Sequence, residues 1–102
     1  MHAHRDICVT AQPAVLELGA NVGAAVVYTT AALDGKEIEI KPDDGDWDGS
    51  HTAVRRRPAG PGSGLQFAAL FFGLRAGSYD LRLGDDSRRI EVSGGSVTEL
   101  NW

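Results

Sequence analysis

Phe71-Phe-Gly-Leu-Arg-Ala-Gly-Ser-Tyr-Asp-Leu-Arg-Leu83 is the stretch on which the fold turns. Two aromatic residues close an apolar strand, Gly73 and Gly77 bracket a tight reversal, and Tyr79, Leu81 and Leu83 alternate with Ser78, Asp80 and Arg82. Because side chains of a strand point alternately to its two faces, this period of two marks a half-buried strand. A tyrosine just after such a turn buries its ring while its hydroxyl bonds a nearby backbone group, the tyrosine-corner device that fixes a connection in a β-sandwich.

Similar patterns recur on both sides. Upstream, Arg5–Thr10 and Val15–Leu18 read as short strands around Gln12-Pro13, and Gly23–Thr29 as a third whose two faces are both apolar or small. Thr30–Gly35 forms one helical turn, with Thr30 as cap and Gly35 as stop. Lys36–Lys41 is the cleanest strand, with Ile38 and Ile40 inward and Glu37, Glu39 and Lys41 outward. His51–Arg57 reads as an edge strand, where three consecutive arginines can meet water. After the flexible Pro58–Gly64 loop, Leu65–Phe72 is again apolar on both faces. Gly84–Ser87 predicts a hairpin leading to Arg88–Ser93, and Gly94-Gly95 a second hairpin. In the last strand, Ser96–Trp102, Val97 lies out of phase with Leu100 and Trp102, which predicts a bulge or two-sided burial. The sum is an all-β chain, a single Greek-key β-sandwich of about seven to nine strands.

The totals bound the rest. At 102 residues, 42% hydrophobic and 24% charged, the chain has material for one core, read as a flexible tail over residues 1–4 and a single domain over 5–102. A formal charge of −4 argues against nucleic acid as a partner, since phosphate contacts require many Lys and Arg. No apolar run approaches the ~20 residues of a spanning helix, and the first residues lack a signal-peptide profile, so a cytoplasmic location without a membrane span is expected. Cys8, flanked by Ile7 and Val9, is the only cysteine and reads as a buried structural thiol.

The run at 71–79, with Arg-Ile-Glu-Val at 89–92, Gly94-Gly95 and the closing Val-Thr-Glu-Leu-Asn-Trp, resembles the prealbumin-like sandwiches, among them the carboxypeptidase regulatory-like and Cna-B-like domains. Those share a leucine, two residues, glycine, any residue, tyrosine turn before the penultimate hairpin. The resemblance covers mainly the C-terminal third and implies a binding, stalk or assembly module, because fold does not carry activity. The start, Asp-Ile-Cys-Val-Thr-Ala-Gln-Pro-Ala-Val-Leu, is similar to short, uncharacterised actinobacterial proteins, some of which carry a phospholipase label. Secreted His/Asp phospholipases depend on many disulfides, which one cysteine does not supply. The transthyretin-like hydroxyisourate hydrolases are similar in size, but their Tyr-Arg-Gly-Ser type ending is replaced here by Glu99-Leu100-Asn101-Trp102.

The sharpest chemical motif is Asp44-Gly-Asp46-Trp-Asp48-Gly49, whose spacing suits three carboxylates converging on calcium. Its second half fails, since the position of the bidentate glutamate in a calcium loop holds Arg55. Solvated acidic loop and weak calcium site both remain open readings. His2 and His4 lie in the tail, whereas His51 stands between the acidic loop and Arg55–Arg57, a histidine, carboxylate and arginine at one rim. Hydrolysis also needs a nucleophile and an oxyanion site, and Gly62-Ser63-Gly64 lacks the strand-to-helix setting of a nucleophile elbow. Ion pairing between that loop and the arginines is the preferred reading of this rim.

Three functions follow as expectations. The first is a non-enzymatic interaction or assembly module without a cofactor, acting on a protein partner or as a homo-oligomer whose doubly apolar strands meet at a sheet face or edge. The second is a small phospholipase-like or transthyretin-like hydrolase with His51 and Arg55 as catalytic residues. The third is weak calcium binding at Asp44, Asp46 and Asp48.

Overall fold

A computed structural model describes residues 21–58 and 64–102. The expectations for His2, His4, Cys8, the tail over residues 1–4, the strands over residues 5–10 and 15–18, and the Gly62-Ser63 loop lie outside those residues. Among the described residues, eight strands run in the order β1 (Val22–Thr29), β2 (Glu37–Pro42), β3 (His51–Ala53), β4 (Arg55–Pro58), β5 (Leu65–Arg75), β6 (Gly77–Leu83), β7 (Asp86–Val92) and β8 (Val97–Asn101). They form two four-stranded sheets, β4-β5-β1-β8 and β3-β2-β6-β7. All pairings are antiparallel except β1 with β8. The fold is all-β and its two sheets are consistent with a β-sandwich.

The alternation read from the sequence becomes the core. Ala25, Val27, Ala69 and Phe71 of the first sheet pack with Ile38, Ile40, Tyr79, Leu81, Ile90 and Val92 of the second. Glu39 and Lys41 of β2 stand across from Arg82 and Asp80 of β6 on the opposite, polar face. Leu83 pairs with Asp86, so Gly84-Asp85 is a two-residue hairpin as expected. The helical turn is a short 3-10 helix over Ala31–Leu33, in which the Thr30 carbonyl, rather than its side chain, accepts the Leu33 N–H at 3.1 Å.

Four local expectations are corrected by how the sheets are joined. His51–Arg57 is not one edge strand: Val54, fully buried, is where the chain passes from the second sheet to the first. Its N–H donates to the Lys36 carbonyl at 2.8 Å and its carbonyl accepts from Gly35 at 2.9 Å, which ties the crossing to the start of β2. Gly94-Gly95 is not a hairpin either, since β7 and β8 belong to different sheets and β8 runs parallel to β1. Nor does β8 carry a bulge, so two-sided burial is the half of that expectation that stands: Val97 to Asn101 pair in continuous register with Ala24 to Tyr28, and adjacent Val97 and Thr98 are both half-buried.

The irregularity sits in β5 instead. Gly23 pairs with Leu74 and Ala25 with Phe71, so Phe72 and Gly73 together oppose Ala24. Gly73 has φ +68°, a left-handed conformation that glycine adopts without a Cβ clash. The extra residue restores the inward phase, placing Leu74 against the core beside Phe71. Thus the glycine that reads as a turn residue is inside the strand, and the chain crosses between sheets later, at Ala76, whose N–H donates to the Asn21 carbonyl at 2.8 Å. Just beyond, the Tyr79 hydroxyl donates to the Arg75 carbonyl at 2.7 Å while its ring is buried. The tyrosine therefore clamps the crossing in the way its position predicts.

Candidate functional site

Where β3 turns into β4, one side of the sandwich carries no further strand among the described residues. β4 pairs with β5 only from Leu65 to Ala68, so among the described residues β5 is the edge of its sheet from Ala69 onward. An antiparallel ladder spends the N–H and C=O groups of alternate residues on one neighbour, so the other alternate groups of this stretch face the side that β4 leaves. A cleft of about 410 Å³ lies there. Leu70, Phe71, Phe72 and Leu74 form its first wall; Ile40, Pro42 and Tyr79 contribute apolar surface from the second sheet, and Asp48, Ser50, His51 and Thr52 a polar rim. Phe72 is 48% exposed, which is unusual for a ring of this size and is the apolar anchor the cleft offers to solvent.

The residues predicted as a site are only partly brought together. Asp48 and His51 both reach the cleft, whereas Arg55 does not line it. Arg55 stands opposite Ala68 in the first sheet and His51 opposite Glu39 in the second, so the Val54 crossing separates the two side chains that the hydrolase reading joins. Both His51 ring nitrogens face neighbours other than a nucleophile: Nδ1 is 2.8 Å from the Gly49 carbonyl and Nε2 is 3.5 Å from Glu37. The Ser50 backbone N–H donates to the Asp48 carboxylate at 2.9 Å. Bonds from the Ser50 side chain and then from its backbone N–H hold the Asp48 carboxyl below the usual carboxylate range. Asp44, Asp46 and Asp48 are all exposed, and among the described residues no three histidine, cysteine or carboxylate side chains gather as metal ligands do.

The expected ion pairs between the acidic loop and the arginine triplet do not form among the described residues. The arginine triplet spends one guanidinium on the backbone, Arg57 Nε donating to the Ala68 carbonyl at 3.2 Å. Partial burial, with Arg55 nearby, lowers the Arg57 pKa below its ordinary value.

What holds the acidic loop is a residue that motif reasoning passed over. The Trp47 ring lies 4.1 Å from the Arg82 guanidinium carbon and 5.5 Å from Lys41 Nζ, both on the outer face of the second sheet. Arg82 is in turn ion-paired to Glu39 at 2.7 Å, and Lys41 to Asp80 at 3.1 Å. Arg89 completes the row on Asp80 at 3.1 Å. Bonds from Lys41 and then Arg89 keep the Asp80 carboxyl below its ordinary range, and Asp80 raises Arg89 in return. The signal available in sequence was alternation, since Glu39, Lys41, Asp80 and Arg82 must share a face if Ile38, Ile40, Tyr79 and Leu81 share the other. Which of them a loop tryptophan would cover depended on register.

The two strands read as apolar on both faces are neighbours, β1 and β5, at the centre of the first sheet. Outside the core, Ala24, Val26 and Ala68 are nevertheless 1%, 5% and 1% exposed. No described helix is long and apolar enough to cross a membrane. No protein-family model matches the chain, and no curated protein or solved structure does so either.

Proposed function

We propose that this chain is a non-enzymatic interaction module of the prealbumin-like kind, which docks an extended segment of a partner protein in the cleft beside the open edge of β5. The observation that carries the reading is the coincidence of three features in one place. The β4–β5 pairing ends at Ala68, the cleft borders the stretch of β5 beyond it, and exposed Phe72 lines it. A free strand edge supplies backbone hydrogen bonds to any extended chain, and pockets beside it choose among side chains. The non-enzymatic reading is preferred because the His51 ring nitrogens face the Gly49 carbonyl and Glu37 rather than a nucleophile. The prealbumin-like reading draws support from the tyrosine clamp between Arg75 and Tyr79 and from the penultimate hairpin, β6 to β7.

The test is comparative capture from native cell extract with the wild-type chain and with Phe72→Glu, followed by hydrogen exchange on the purified complex. A partner retained by the wild type, lost by the variant, and slowing exchange over residues 69–74 is the expected outcome. Undiminished capture by the variant, or ester hydrolysis that disappears in His51→Ala, overturns the reading.

A further inference from the structure

The chemistry of the segment that would fill this cleft can be taken one step further, and the step rests on the docking role just proposed. Two constraints act on an occupant. The first is the sheet edge: only three residues, Ala69 to Phe71, precede the bulge at Phe72-Gly73 that breaks the regular ladder. A paired segment therefore contacts the edge over a short run, in which residues two apart face the same wall. The wall is apolar, formed by Leu70, Phe71, Phe72 and Leu74.

The second constraint is charge. Pro42–Ser50 contributes Asp43, Asp44, Asp46 and Asp48 with no lysine, arginine or histidine to balance them. Asp44 and Asp46 make no ion pair among the described residues, and Asp48 is bonded to a backbone N–H rather than to a cation. Lys41, the one basic side chain in the lining besides His51, is already neutralised by Asp80. His51 has its own carboxylate neighbour in Glu37. Asp48 is the carboxylate among the residues lining the cleft, and Asp46 and Asp44 precede it by two and four residues on the same loop, so uncompensated negative charge adjoins one end of an apolar cleft. The loop is not free to swing these carboxylates away, because Trp47 at its middle is seated on Arg82 and Lys41.

We infer that the docked segment is an extended peptide that carries a short alternating apolar run and, next to it, lysine or arginine side chains lying against the Asp44–Asp48 loop. Apolar contact and strand pairing hold such a segment, and the charges choose it over neutral or acidic segments of the same shape. Exposed charge pairs are individually weak, so two or three of them correspond to about a tenfold preference that fades as salt rises.

The experiment uses short fluorescein-labelled peptides of alternating valine and threonine, ending in two lysines or in two glutamates, made in both chain directions. Anisotropy titrations against the full chain are run at low and at high salt. The lysine peptide is expected to bind about tenfold more tightly than the glutamate peptide at low salt. That preference is expected to vanish at high salt and in the triple variant Asp44→Asn, Asp46→Asn, Asp48→Asn, and both peptides are expected to be lost in Phe72→Glu. Equal binding of the two peptides overturns the charge selection and leaves the docking role standing. Binding of neither overturns both. A concentration-dependent dimer in light scattering that Phe72→Glu dissolves makes a second copy the occupant, and also overturns the inference.

Discussion

Replacing Tyr79 with phenylalanine removes one oxygen and nothing else, which makes it the sharpest test of how the two sheets are joined. The hydroxyl donates to the Arg75 carbonyl at 2.7 Å across the point where the chain leaves β5 and enters β6. The residue is only 9% exposed, and the ring stays where it is in the variant. A neutral hydrogen bond contributes about 0.5–1.5 kcal/mol net, and a carbonyl left partly shielded from water adds to the loss. Arg75 is an exposed residue, so water reaches its carbonyl in part and the expected cost is about 1–1.5 kcal/mol. For a domain of this size that lowers Tm by roughly 4–10 °C. Tyr79→Ala loses the buried ring as well and is expected to cost about 3–5 kcal/mol. Urea titrations followed by circular dichroism measure both, with the slope m unchanged from wild type in Tyr79→Phe. If Tyr79→Phe has the wild-type midpoint within error while Tyr79→Ala is severely affected, the ring alone holds the crossing and the clamp argument fails.

Other consequences are equally direct. Val54→Ala removes buried atoms at the sheet crossing, where nothing can collapse without moving β3 and β4 together; a loss of about 2–3 kcal/mol in the same titration is expected. Gly23→Ala places a Cβ 2.9 Å from the Ser96 carbonyl and 2.7 Å from a Val92 methyl. Backbone on one side cannot yield, so about 2–3 kcal/mol of destabilisation follows, and a wild-type midpoint would show that β1 sits farther from the β7–β8 connection. Asp48 and Asp80 have folded-state pKa values below those of the unfolded chain, so their stabilisation is present above about pH 4 and is lost as pH falls through the folded values. Acid titration of stability is expected to be shallower in Asp80→Asn than in wild type, and identical slopes would contradict the Lys41–Asp80–Arg89 row. Trp102 has a buried Nε1 with no hydrogen-bond partner among the described residues, so Trp102→Phe costs little in polar terms and leaves Trp47 as the single reporter. In that background Arg82→Met is expected to shift Trp47 emission to the red by unseating the ring, and an unchanged spectrum would remove the cation contact.

Several of these positions were legible without coordinates. Tyr79 carries its role in its spacing: a tyrosine two residues after a glycine reversal, followed by alternation, has one economical place for ring and hydroxyl. Ile38, Ile40 and Leu81 read as core by period alone, because a strand turns every second side chain to the same face. Gly73 was misplaced because glycine marks both turns and bulges, and only the partner strand tells them apart. Gly94-Gly95 was misread for the same reason: two glycines reverse a chain, but whether the next strand joins the same sheet or the opposite one depends on where β1 offers an edge.

The candidate site shows the same division. The acidic loop and His51 were visible as motifs, and both do approach one cleft. Their separation from Arg55 was not visible, because Val54 is one more β-branched residue in a strand until the two sheets are placed. Composition, alternation and spacing determined by themselves that this chain is all-β, which side chains of β2 and β6 face its core, and that a tyrosine would lock a reversal. Those properties follow from local geometry, in which each strand's faces are set by its own residues. Which strands are neighbours, where β4 abandons β5, and which loop is pinned over the opening were decided only in three dimensions. Register and edge pairing are contacts between segments far apart in the chain, and no local pattern contains them.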